Sequence, residues 1–142
     1  SKRLNAQNAP SLLADCDVVI DGTDDFQTRF TVNTACVDAG VPLVSGALGR
    51  WSGQIGVFSG RPCYQCLVPE IPPDAETCAR VGVVGALAGV IGAMAAMEAI
   101  KLIVGTGEAL TGHLLIYGGL NAATRVVTVA SDPDCAVCGR KP

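Results

Sequence analysis

Charge is scarce in this sequence. Asp, Glu, Lys and Arg make up 16% of it, and ten basic side chains face thirteen acidic ones for a net charge of −3. Nucleic-acid surfaces rest on a basic excess, so this balance argues against nucleic acid as a partner. Aromatic residues are also few, at 4%, and offer little on which bases could stack. There is no internal repeat and no low-complexity tract. The first ten residues are polar and include Lys2, Arg3, Asn5, Gln7 and Asn8, so no secretory signal is expected. What is plentiful is apolar surface, 49% of residues, together with 17 glycines among 142 residues. That suits one close-packed α/β domain with tight turns.

The longest charge-free run is 81–97, at the short limit for a membrane span. It contains Gly82, Gly85, Gly89 and Gly92, and Glu98 and Lys101 follow it. We read it as a buried helix running to about Val104, a candidate for a subunit contact, and expect no membrane association.

Residues 17–22 read as a short buried strand ending in a turn. Residues 24–39 read as a helix, opened by Asp24 with Gln27 three residues on and closed by Gly40. Residues 41–46 form the next strand, which makes a βαβ unit and a parallel pair. A third strand covers 53–59, with Ile55 and Val57 on one face. Residues 61–80, rich in Pro and Cys, read as an irregular crossing loop. Strands at 114–117 and 124–129 form a late antiparallel hairpin around Gly118-Gly119-Leu120-Asn121, and 131–142 is a loop. A doubly wound nucleotide fold places a Gly-rich phosphate loop after its first strand, and none follows a first strand here. The chain therefore reads as the C-terminal part of a larger domain.

Four of the seven cysteines fall in two C-x-x-C pairs, Cys63-Tyr64-Gln65-Cys66 and Cys135-Ala136-Val137-Cys138, each flanked by turn residues. Two such knuckles complete a tetrahedron of thiolates around a structural zinc, which would clip the tail to a distant loop. Disulfides and a redox pair are the competing readings. Four sulfurs would fill the metal's sphere, which excludes catalytic zinc with an open position. Cys16 and Cys36 fit as small buried hydrophobes. Cys78 stands in a polar loop beside Arg80, ahead of the apolar helix. It reads either as an exposed spectator or as a thiol activated by its neighbours. The lone His113 reads as an ordinary edge residue.

Several segments together resemble the ThiF/MoeB/HesA family, bacterial relatives of ubiquitin-activating enzymes. They are Thr23-Asp24-Asp25-Phe26-Gln27-Thr28-Arg29 with Asn33, Pro42-Leu43-Val44-Ser45-Gly46, Gly53-Gln54, the first C-x-x-C, Thr77-Cys78, Gly82-Val83-Val84-Gly85, Met97-Glu98-Ala99-Ile100-Lys101 and the closing C-x-x-C. They cover essentially the whole chain, in order. The resemblance implies the C-terminal part of a Rossmann-like fold, with a mostly parallel sheet, a late antiparallel hairpin and a zinc-clipped tail over residues 1–142. The half with the nucleotide loop is not in this chain. It further implies an enzyme that uses ATP and magnesium to adenylate the C-terminal Gly-Gly carboxylate of a ubiquitin-like sulfur-carrier protein, serving thiamine, molybdopterin or related sulfur transfer. A cytoplasmic homodimer is expected.

By the same resemblance, Asp24 contacts magnesium and phosphates; its plainer role is a helix N-cap. Asp25 stands where Asn is usual, and would either compete for the metal or face solvent. Arg29 matches a position near the nucleotide, or else pairs with Asp25 at helical spacing. Cys78 matches the cysteine that forms a covalent carrier link in some members. Lacking the phosphate loop, this chain by itself is not expected to adenylate. Two other readings compete. One is a non-catalytic zinc-stabilised dimerisation or scaffold module. The other is a nicotinamide-dependent dehydrogenase, which leaves the paired C-x-x-C unexplained.

Overall fold

A computed structural model describes residues 3–73 and 82–139. After a short helix α1 (Ala9–Leu13), strand β1 (Val19–Asp21) leads into helix α2 (Phe26–Ala39) and strand β2 (Leu43–Leu48). β1 and β2 pair in parallel, Val19 opposite Leu43 and Asp21 opposite Ser45, so the βαβ unit forms. Strands β3 (Ser52–Phe58), β4 (His113–Gly118) and β5 (Ala123–Thr128) complete a sheet of order β1-β2-β3-β4-β5. Between β3 and β4 run the short helix α3 (Tyr64–Leu67) and the long helix α4 (Gly85–Val104).

The sheet is α/β but mixed, which corrects the expectation of a mostly parallel one. Among the strand pairs of the described residues only β1–β2 is parallel; β2–β3, β3–β4 and β4–β5 are antiparallel. The reason lies in the link between β2 and β3. Residues 49–51 are too few for a crossover, which needs a dozen or more, but enough for a hairpin. The late hairpin is as expected, with His113 opposite Thr128 and Gly118 opposite Ala123.

Helix α2 starts later than expected. Its N-cap is Asp25, not Asp24: the Asp25 carboxylate accepts from the backbone N–H groups of Gln27 and Thr28 and from the Thr28 hydroxyl. At the other end Gly40, at φ 70°, donates its N–H to the Cys36 and Val37 carbonyls, a left-handed cap that a side chain would strain.

Alternation along β2 divides the core between the two faces of the sheet. Leu43 joins Val32, Cys36, Phe58 and Tyr64 beneath α2. Val44 joins Ile55, Val57, Leu87, Ile91 and Ala95 beneath α4. Each large side chain buried this way contributes about 1.5–3 kcal/mol.

Helix α4 is not buried all round. Leu87, Ile91, Ala95 and Ala99, four residues apart, pack on the sheet. Met97, Ile100, Ile103 and Val104 are exposed, because the sheet covers one side of the helix only. Length and composition alone would let α4 cross a membrane. One face packs on the sheet, most of the rest is exposed, and the helix carries an ion pair. Glu98 is buried, 2.6 Å from the Lys101 ammonium, and accepts the Leu110 N–H at 2.8 Å; Lys101 also donates to the Glu108 carbonyl. The Glu-Ala-Ile-Lys segment thus locks the turn after α4.

Candidate functional site

A cavity of about 380 Å³ lies at the carboxyl ends of β1 and β2. Open α/β sheets bind ligands at such strand ends, and this volume lies in the small-molecule range. Asp21, Asp24, Arg29, Gly46 and Tyr64 line it together with Ala88, Ile91 and Gly92 of α4.

Asp24 is exposed on this cavity and makes no side-chain hydrogen bond among the described residues. Because Asp25 has taken over the helix cap, the Asp24 carboxylate is left for a ligand. Asp25 itself pairs loosely with Arg3, at 3.8 Å, and not with Arg29. The Thr28 hydroxyl, ahead of the backbone N–H donors, holds the Asp25 carboxyl below its ordinary value. A lowered folded pKa stabilises above the unfolded value, and that contribution is lost as pH falls through the folded one. Asp25→Asn should therefore be less stable than the wild type at pH 7, and the gap should close only at a pH low enough to protonate the Asp25 carboxylate in the folded chain. Urea melts at the two pH values check this.

Arg29 is buried and donates to the Thr23 carbonyl, to the Gly46 carbonyl at 2.7 Å and to the Ser45 hydroxyl at 3.0 Å. Its guanidinium also lies 5.9 Å from the Tyr64 ring centre. It ties the loop carrying Asp24 to the end of β2, so it holds the cavity wall in place; the pairing with Asp25 does not form.

Two wall residues were not singled out in the sequence. Asp21 is buried; its Oδ1 accepts from the Thr23 N–H and hydroxyl, at 2.9 and 2.8 Å, and its Oδ2 has no partner among the described residues. A buried, unpaired carboxylate oxygen is costly unless a ligand or cation satisfies it. Asp21 and Asp24 line the same cavity, and carboxylate oxygens are the hard donors that suit magnesium. The aspartate at the end of the first strand was the available signal. Tyr64 was legible only as part of the first C-x-x-C pair.

The second cluster is the four cysteines. The Sγ atoms of Cys63, Cys66, Cys135 and Cys138 all lie within 4.8 Å of one another. Cys63 and Cys135 are 3.7 Å apart and Cys66 and Cys138 3.4 Å. Four bonds of 2.3 Å in a tetrahedron set sulfurs about 3.8 Å apart, so four thiolates in this arrangement can hold a metal ion and suit zinc. The contacts are too long for disulfides, and the six described cysteines are free. Burial alone would raise the Cys135 thiol, but N–H groups of Cys138 and Val137 bring it down to about 7. Gly139 closes this knuckle where a Cβ would stand 2.4 Å from the Pro133 carbonyl. Cys36 is buried, its thiol pushed up to about 12 by burial and then by Asp21, in keeping with a packing role. Cys16 is half-buried against the same core. His113 opens β4, its Nδ1 2.9 Å from the Thr111 carbonyl oxygen. Cys78 lies outside the described residues.

The sequence profile of the ThiF family matches residues 1–137. The chain belongs to the ThiF family. This ThiF domain is 44% identical to the sulfur carrier protein adenylyltransferase of Thermus thermophilus, over 99% of the chain and 55% of that protein. It is 41% identical to the SAMP-activating enzyme E1 of Haloferax volcanii, over 96% of the chain and 52% of that protein. It therefore spans about half the length of these two relatives. Among solved structures, E. coli MccB with ATP superposes with a TM-score of 0.79 at 17% identity, over 99% of the chain and 45% of MccB, which shows a shared fold.

Proposed function

We propose that this chain is the C-terminal part of the activating domain of an enzyme that uses ATP to adenylate the C-terminal Gly-Gly carboxylate of a ubiquitin-like sulfur-carrier protein. The observation that carries the reading is the strand-end cavity with the uncommitted Asp24 carboxylate on it, in a chain 44% identical to a protein named sulfur carrier protein adenylyltransferase. In the reaction a carrier carboxylate oxygen attacks the α-phosphorus, the bond to the β-phosphate oxygen breaks, and pyrophosphate leaves. The acyl-adenylate that remains has the good leaving group a carboxylate lacks. Asp24 and Asp21 would hold magnesium, which would supply charge neutralisation and orientation of the phosphates. Arg29 keeps the loop beneath them in place. The four cysteines hold a structural zinc. In a later transfer step the Cys78 thiol, losing its proton, attacks the acyl carbon of the adenylate, the acyl–phosphate bond breaks, AMP leaves and a thioester to the carrier remains.

In this reading the Gly-rich nucleotide loop belongs to a half of the enzyme outside the 142 residues, and the chain alone does not adenylate. Sulfur transfer for thiamine, molybdopterin or a related product is the purpose, in the cytoplasm, where thiols stay reduced. The test is ATP–pyrophosphate exchange by the complete enzyme. Exchange is expected only with a carrier ending in Gly-Gly; carrier-independent exchange, or none, would overturn the reading.

The exposed apolar face of α4 favours a second role for the same domain, as a zinc-stabilised dimerisation module. Sedimentation at micromolar concentration should give twice 14.5 kDa. A monomer would exclude the homodimer. A dimer holding metal, in an enzyme without exchange activity, would support the scaffold role alone.

A further inference from the structure

Asn33 is 1% exposed and sits on the face of α2 that covers the cysteine cluster, one turn from Val37, which packs on Cys63, Cys135 and Cys138. A buried primary amide is costly unless both its ends are paired. Here both are. Oδ1 accepts the Tyr64 backbone N–H at 2.8 Å, and Nδ2 lies 3.5 Å from Cys63 Sγ. The orientation is forced: the Tyr64 N–H can only donate, so the oxygen must face it and the NH₂ must face the sulfur. Cys63, itself fully buried, is therefore presented with a donor to its Sγ. A donor in that position favours a sulfur carrying negative charge over a neutral thiol.

We infer that Asn33 is a positioning residue of the metal centre. It donates a hydrogen bond to the Cys63 thiolate and, through Tyr64, seats the first cysteine knuckle on α2. The inference rests on the proposal that the four cysteines hold zinc. It adds that a side chain remote in sequence from both C-x-x-C pairs sets how tightly the metal is held. It also joins the two sites of the molecule, since Tyr64 forms part of the cavity wall next to Arg29.

The test uses the zinc-loaded 142-residue chain. Asn33→Asp keeps the shape and the acceptor for Tyr64 but replaces the donor with an anionic oxygen against the sulfur. Its metal affinity in competition with a chelator should fall about 10- to 100-fold, the range for loss of an outer hydrogen bond to a metal ligand. With cobalt in place of zinc, the sulfur-to-metal charge-transfer band should move to longer wavelength in Asn33→Asp and Asn33→Ala, because an undonated thiolate gives up electrons more easily. A purely structural asparagine would leave that band in place. The unaltered chain supplies a reading independent of folding: the Asn33 side-chain NH₂ resonance should shift when cadmium replaces zinc. An NH₂ resonance that does not move would overturn the inference, as would folded variants with wild-type affinity and an unmoved band. A wild-type chain that takes up no metal would instead remove the zinc reading, and this inference with it.

Discussion

Replacing Asp24 with alanine in the complete enzyme is expected to lower carrier-dependent pyrophosphate exchange by at least about 100- to 1000-fold, the range for removing one group that stabilises charge in a transition state. The fold should be intact, because Asp24 supports no helix, carries no hydrogen bond among the described residues and is exposed at the mouth of the strand-end cavity. Its neighbour supplies the control. Asp25→Ala removes the cap of α2 and should cost about 1 kcal/mol of stability, yet leave exchange close to normal. The adjacent aspartates thus divide ligand binding and helix capping between them, and the two variants should separate activity from stability. Cys78→Ser should leave exchange near normal and abolish only a covalent carrier adduct, seen by mass spectrometry. Unchanged exchange in Asp24→Ala would remove the magnesium assignment.

Cys135→Ser, or chelation of the wild-type chain, is expected to release the tail before the sheet. Among the described residues, little else holds 131–139. Beyond the cysteines, Val137 packs on the cluster, and Val129, just ahead of the tail, reaches the α2 core. Structural zinc sites contribute on the order of 10 kcal/mol of apparent binding energy, and loss of one thiolate forfeits a large share of it. Hydrogen exchange should rise in 131–139 and, because Cys63 lies 3.7 Å from Cys135, around residues 61–68. The cavity wall should loosen as well, since Tyr64 follows Cys63 directly. In the metal-free chain Cys63 and Cys138 hold their protons more tightly than free cysteine, chiefly through burial. Metal uptake must displace those protons, so retention should weaken as pH falls. Unchanged protection of the tail after complete metal removal would show that packing, and not a metal, closes this end of the domain.

The βαβ unit, the late hairpin, the C-x-x-C pairs and the family were legible in the order of the residues, because each is written in local spacing. Alternating apolar residues mark strands, Gly40 marks a helix end, and paired thiols at turn residues mark a knuckle. Three things needed the tertiary structure. The first was which aspartate caps α2: Asp24 and Asp25 both precede the helix, and the one whose carboxylate meets the N–H groups of Gln27 and Thr28 depends on the angle at which the chain enters the turn. The second was the side of α4 left bare, since a helix apolar on every face carries no periodicity to say which stripe meets the sheet. The third was where Arg29 and Asn33 point. Each reaches partners remote in sequence, Ser45 and Gly46 for Arg29, Cys63 and Tyr64 for Asn33. Spacing along a helix reports neighbours on that helix. A buried polar side chain takes whichever donors and acceptors the packed strands and loops bring to it, and those are set only when the chain folds.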